Sequence, residues 1–280
     1  MVSFKNVMLK VREFADLPGQ IRNLHDLILF HHTKVLQCNH SNPLNRYGKK
    51  CFSQADEDGI TLEILRRIKK LSEGTYAEFG VGDGTENNTL ILAALGWKGF
   101  WVGGEELRLD INNKDGRLFF FKEWVTSENI VSTAKKGLKA IDVEQLDVIS
   151  LDLDFNDIYF VEELLANNFK PKLFIAEYNA KFPPPVEFKI SYDPQRTWEG
   201  DDHFGASLSS FNKLFEKFGY RLICCNSQTG SNAFFIDDSF SELFSDVPTD
   251  INQIYVEPRY HLYNNYGHRK SVTTIEELFR

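Results

Sequence analysis

Tyr76-Ala77-Glu78-Phe79-Gly80-Val81-Gly82-Asp83-Gly84 passes from apolar to glycine-rich within nine residues. Tyr76 to Val81 reads as a short buried strand, and Gly80, Gly82 and Gly84 then alternate through a turn. Beyond it, the apolar spacing over Asn87 to Leu95, stopped by Gly96, predicts a helix. A strand, a glycine turn and a helix start in that order let main-chain N–H groups approach a ligand that a Cβ would hold off. The spacing is G-x-G-x-G, and Thr85 stands where a dinucleotide fingerprint wants its third glycine. Glu78 sits inside the strand, just before the turn. Its carboxylate would repel a pyrophosphate and attract a cationic group, of which the ammonium of an amino-acid-bearing cofactor is one.

Outward from this stretch, strands and helices alternate. Gly99-Phe-Trp-Val102 predicts a second buried strand, ended by Gly103-Gly104, and Leu118 to Phe121 a weaker third. Asp147 to Leu153 and Lys172 to Tyr178 are near-continuous apolar runs, as strands covered on both faces should be. Ile158 to Asn167 supplies a helix between them, and Phe211 to Phe218 another. Tyr220 to Cys225 and Ala233 to Ile236 are close enough to form a hairpin. The expected fold is therefore α/β: a Rossmann-like, doubly wound sheet, mostly parallel, whose last strand runs antiparallel. Residues 51–240 carry this core. Residues 1–50 read as a helical or irregular extension, with Ile21, Leu24, Leu27 and Ile28 on one helical face, and residues 241–280 as a tail packing on the core. Ser53-Gln-Ala-Asp-Glu57 offers a capping serine and acidic first-turn residues for a helix bearing Ile60, Ile64, Ile68 and Leu71.

Composition bounds the partners. The chain has 280 residues, 42% hydrophobic and 26% charged, with 24 Phe. Its net charge of −8 disfavours an electrostatic grip on nucleic acid or anionic lipid. No uncharged apolar run approaches the ~20 residues that span a bilayer, and no signal-peptide pattern opens the chain. Cys38, Cys51, Cys224 and Cys225 form no C-x-x-C pair, so free thiols and a cytoplasmic location are expected. His31, His32, Cys38 and His40 lack zinc spacing and read as surface residues.

In open α/β sheets the ligand lies beyond the carboxyl ends of the strands. Those ends here read Glu78 to Gly84, Gly103 to Glu106, Asp152 to Asp157, Glu177 to Asn179 and Asn226. Glu105 or Glu106 stands where an acidic residue takes ribose hydroxyls. Asp152, Asp154, Glu177 and Asn179 would present oxygen ligands from two adjacent strand ends to a hard cation such as Mg²⁺. A divalent ion there can lower the pKa of a substrate hydroxyl and orient it. The bland alternatives are helix capping by Asp152 and amide binding by Glu177. His203, ahead of the Phe211 helix, is a candidate general base, beside the commoner role of a hydrogen-bonded loop histidine. Lys181-Phe-Pro-Pro-Pro185, Tyr192-Asp-Pro194 and Trp198 form a stiff aromatic loop suited to a substrate wall.

Taken in order, Glu78-Phe-Gly-Val-Gly-Asp-Gly84, Glu86-Asn-Asn-Thr89, Gly96-Trp-Lys-Gly-Phe-Trp101, Ser150-Leu-Asp-Leu-Asp154, Glu177-Tyr-Asn179, Phe204-Gly-Ala-Ser-Leu208 and Asn232-Ala-Phe-Phe235 resemble the FkbM-type, class I methyltransferases. Ser53-Gln54 and Glu57-Asp58-Gly59 extend the match, which covers residues 50 to 240. The resemblance implies methyl transfer from S-adenosylmethionine, most often to an oxygen of a sugar or small metabolite, with a small-molecule or saccharide acceptor as the partner. It gives Glu78, Gly80 and Gly82 to the cofactor's amino-acid end; beside it, the reading of the residues expects Gln54, Asp83, Gly84, Asn88 and Glu105 in the cofactor set and Asp152 and His203 in the catalytic one. The chain departs from the pattern at Gly103-Gly104, which precede the second-strand acid, at Phe155, where glycine is frequent, and at His203, where tyrosine is common. Two other readings compete. Asp152-Leu-Asp154 matches the D-x-D of metal-dependent glycosyltransferases, and a cofactor-binding module without chemistry would share the glycine turn.

Overall fold

The computed structural model describes residues 4–111, 116–198 and 203–259. Its centre is a seven-stranded sheet of β1 (Thr75–Phe79), β2 (Lys98–Gly103), β3 (Leu118–Lys122), β4 (Val148–Leu151), β5 (Leu173–Glu177), β6 (Tyr220–Cys225) and β7 (Asn232–Asp237). The strand order is β3-β2-β1-β4-β5-β7-β6. β1 to β5 are mutually parallel, with Glu78 opposite both Trp101 and Ser150. β7 runs antiparallel between β5 and β6. This is the Rossmann-like, doubly wound arrangement expected, and its order reverses between β1 and β4.

Alternation along the strands builds two cores. Tyr76, Trp101, Val148, Ile175 and Phe234 face α2 (Glu57–Arg67) and α3 (Leu90–Ala94). Ala77, Phe79, Phe100, Ile149 and Phe174 face α4 (Ile130–Ala140), α5 (Asp157–Ala166) and α6 (Leu208–Lys217). Both faces are covered, which is why β4 and β5 carry no polar alternation. The phenylalanines fill the second layer: Phe215 of α6 stacks on Phe235 at 3.8 Å between ring centroids and meets Phe174 edge-on at 5.2 Å. Cys224 and Cys225 are both buried, on opposite faces of β6, and all four cysteines are free. A 36-residue α1 (Phe4–Asn39) and a 3₁₀ turn over Pro43–Tyr47 form the N-terminal extension. A short α7 (Ile251–Ile254) belongs to the tail, of which residues 260–280 lie outside the described part.

Four local readings are corrected. α3 begins at Leu90, not Asn87, because Glu78 accepts hydrogen bonds from the Asn88 and Thr89 N–H groups and fixes the preceding residues as turns. Ser53 does not cap α2; Asp56 takes that position, while the Ser53 hydroxyl donates to Asp58 Oδ2 at 2.9 Å. Ile68 is the C-terminal cap of α2, so Leu71 lies beyond the helix. Finally, α4 fills residues 130–140, for which the apolar pattern supplies no element; Ile130, Thr133, Ala134 and Gly137 are its buried face. The C-terminus of α3 follows the expected glycine stop. Gly96 has φ +81°, and the N–H groups of Gly96 and Trp97 donate to Ala93 O and Leu92 O.

Candidate functional site

The β1 turn and the end of β4 meet at Gly80. Gly80 has φ +90°, and a Cβ there would lie 1.4 Å from the Asp152 carbonyl oxygen, so the two chains approach as closely as they do only because the side chain is missing. Gly82 has φ +48° for a different reason: a Cβ on it would have no atom within 4 Å. It faces open space.

That space is a cavity of about 810 Å³ at the carboxyl ends of the strands, within the range of ligand sites. Gln54, Glu78, Gly80, Gly82, Asp83, Asn88 and Glu105 line it, as do Asp152 and Asp154. Gly84, Glu177, Asn179 and His203 are not among its lining residues. Glu105 and Glu106 are separated: Glu105 borders the cavity, whereas Glu106 pairs with Lys122.

Glu78 is buried and heavily engaged. Its carboxylate accepts from Asn88 N (2.9 Å), Thr89 N (3.0 Å) and the Thr89 hydroxyl, which in turn accepts from Trp101 Nε1 at 2.9 Å. The carboxylate thus fastens the two residues that lead into α3 to β1. Burial pushes its carboxyl up to about 7, against the pull of those hydrogen bonds. Asp83 ties the turn together, accepting from Thr85 N at 3.1 Å and lying 3.4 Å from Arg108. Asn88 donates to Ser150 Oγ at 3.1 Å and so links the turn to β4.

Asp152 and Asp154 belong to a second acidic group, which Glu177 completes from outside the lining. One ligand oxygen from each of Asp152, Asp154 and Glu177 lies within 4.8 Å of the others, the one such group among the described residues. Asp154 holds the left-handed conformation, φ +64°, which turns its carboxylate back toward the strand end. Desolvation raises the Asp152 carboxyl to about 6, with the Asp154 charge adding to it. Glu177 is raised well above the usual range by burial and by the neighbouring Asp152, Asp157 and Asp154 charges. Burial raises Asp154, and the Glu105 charge adds to it. Asp157, behind them, accepts from Leu153 N at 2.7 Å through one oxygen and has no partner on the other. Four neighbouring carboxyl groups that cannot all ionise are suited to a hard cation, which would replace the shared protons. Asn179 is occupied differently: its amide donates to Phe204 O at 3.0 Å and accepts from Lys181 N at 3.2 Å, fastening the loop after β5. His203 is exposed and lies against Phe155, with 6.0 Å between ring centroids.

The far wall is partly the anticipated aromatic loop. Pro194, Arg196, Thr197 and Trp198 line the cavity, whereas Lys181 to Pro185 do not. Asn156 pins this loop by a reciprocal pair with the Asp193 backbone (2.8 and 3.2 Å), and Trp124 Nε1 donates to Pro194 O at 2.9 Å. Arg196 lies over Phe155 at 5.4 Å. Trp124, Glu123, Phe160 and Arg108 are lining residues that no motif in the sequence points to.

No family model and no curated protein matches this chain. Among solved structures it overlaps a provisionally named hemolysin from Streptococcus thermophilus (12% identity, 83% of this chain and 77% of that one, TM-score 0.41). It also overlaps the CurJ carbon methyltransferase (8%, 81% and 70%, TM-score 0.38). A third is an O-methyltransferase family 2 protein from Planctomyces limnophilus (12%, 74% and 60%, TM-score 0.33). Overlap at this level says nothing of activity. No helix among the described residues is long and apolar enough to cross a membrane.

Proposed function

We propose that this chain is an S-adenosylmethionine-dependent methyltransferase of the FkbM-type branch, acting on a hydroxyl of a saccharide or small metabolite. The observation that carries the reading is Gly82: a left-handed glycine on the cavity wall whose missing Cβ leaves the space a ligand would fill. The cavity's charge agrees, since Glu78, Asp152, Asp154 and Glu105 suit a cofactor with an ammonium and a sulfonium better than one with a pyrophosphate. That same charge disfavours the glycosyltransferase reading, whose donor carries a diphosphate.

When bound, the cofactor supplies an electrophilic methyl group. The chain's own part is binding and positioning. Gly80 and Gly82 keep side chains out of the cradle, and Glu78 receives the ammonium while holding the start of α3. Glu105 takes the ribose hydroxyls. Trp124, Pro194 and Trp198 give the acceptor an apolar wall and exclude water from one side. Asp152 accepts the acceptor's hydroxyl proton, its raised pKa matching that task near neutral pH. Mg²⁺ fits Asp152, Asp154 and Glu177 and would supply further acidification of the hydroxyl.

Native mass spectrometry of the freshly purified protein tests the assignment. Retention of S-adenosylmethionine or S-adenosylhomocysteine supports it. A co-purifying nucleotide-sugar in their place would contradict it.

A further inference from the structure

The N-terminal helix has a second face that no other described residue covers. α1 spans 36 residues, yet its buried side chains, Leu29, Thr33 and Gln37, all belong to the last three turns. From Lys10 to His25 every side chain is exposed. Along this exposed length runs an apolar stripe of Phe14, Leu17, Ile21, Leu24, Ile28 and Val35, with Phe14 77% and Leu24 58% exposed. The spacing alternates three and four residues, with His31 completing it, so the stripe is a heptad seam three repeats long. At 100° per residue it lies roughly 140° around the helix from the buried face. Among the described residues, packing on the core therefore leaves the seam uncovered, and a single projecting helix gains little stability in water without a partner.

We propose that α1 pairs with α1 of a second copy of this chain as an antiparallel two-stranded coiled coil. Phe14, Ile21, Ile28 and Val35 take the a positions and Leu17 and Leu24 the d positions of this seam. The charges choose the direction. Glu13 and Lys34 both occupy g positions, and only an antiparallel pair brings g to g. With Ile21 facing Leu24 of the second copy and Leu17 facing Ile28, Glu13 of each helix meets Lys34 of the other, forming two complementary pairs. A parallel pair would set Lys10 against Lys10 and His31 against His31 in the seam, and would leave Glu13 beside Pro18. Pro18 falls at an e position, outside the seam. An anionic membrane is the poorer occupant, because the polar positions mix Glu13, Asp16 and Asp26 with Arg12, Arg22 and Lys34.

Light scattering on the full chain across the micromolar range is the test. The expected species has twice the 32.3 kDa chain mass. Ile21→Asp and Leu24→Asp, both at exposed positions, should each weaken self-association by more than tenfold while leaving the near-UV circular dichroism of the core unchanged. Glu13→Lys or Lys34→Glu alone should weaken the dimer severalfold, and the two together should restore it. A monomeric wild type, a dimer that survives Ile21→Asp, a charge swap without recovery, or binding of the monomer to anionic vesicles would each overturn the proposal.

Discussion

Gly80 and Gly82 are two residues apart and lack side chains for unrelated reasons. At Gly80 the reason is internal: a Cβ would overlap the Asp152 carbonyl, so the β1 and β4 ends would have to separate. Gly80→Ala should therefore cost about 3 kcal/mol or more of stability, read as a fall in the chemical-denaturation midpoint at unchanged slope. At Gly82 nothing in the protein is displaced. Gly82→Val should keep most of the stability, losing on the order of 1–2 kcal/mol to its left-handed φ, while filling the cradle. Both glycines were visible as a spacing, but a spacing cannot tell a close approach from an open wall. The distinction lives in what β4 places opposite, some 70 residues later. Glu78 is similar: its acidity was legible, whereas its engagement with Asn88 and Thr89 depends on how tightly the turn folds back.

At the scale of elements, the adjacency of β4 and β5 is what gathers the carboxylates. Asp152 and Asp154 follow the last residue of β4 and Glu177 is the last residue of the paired β5, so their convergence was readable once those strands were assigned. Asn179 was expected on the same face by strand alternation, but β5 ends at Glu177 and the chain then turns, which sends the Asn179 amide to the loop before α6. If the carboxylate group holds a divalent ion, Mg²⁺ or Mn²⁺ should raise the melting temperature of the wild type by several degrees and have no effect on Asp152→Asn. Equal shifts in both proteins would remove the metal from the site. The loop over residues 191–198 makes a second case. Asn156→Ala breaks its reciprocal pair with Asp193, and acceptor KM should rise severalfold with cofactor affinity unchanged. An unchanged KM would show that this wall does not touch the acceptor.

Across the whole molecule, buried carboxyl groups set an unusual pH dependence. Glu57 and Glu78 are both raised to about 7 by burial, and Asp152 to about 6. In each, the folded state holds its proton more tightly than the unfolded chain. Between the ordinary carboxylate range and these raised values the folded state binds more protons, so stability falls as pH rises. His40, whose pKa burial lowers, acts in the opposite sense, but only below its ordinary 6.5. The melting temperature of the ligand-free protein should thus drop between pH 6.5 and 7.5, and a rise there would contradict these assignments. A cationic ligand in the cavity should flatten that drop, because it favours the ionised forms of Glu78 and Asp152.

Isothermal titration with S-adenosylhomocysteine bears most directly on the claim that the cavity at the sheet's carboxyl edge is a cofactor site. The wild type should bind one equivalent, and Gly82→Val, shown to be folded by its circular dichroism, should bind none. Equal heats from the two proteins, or none from the wild type, would contradict it.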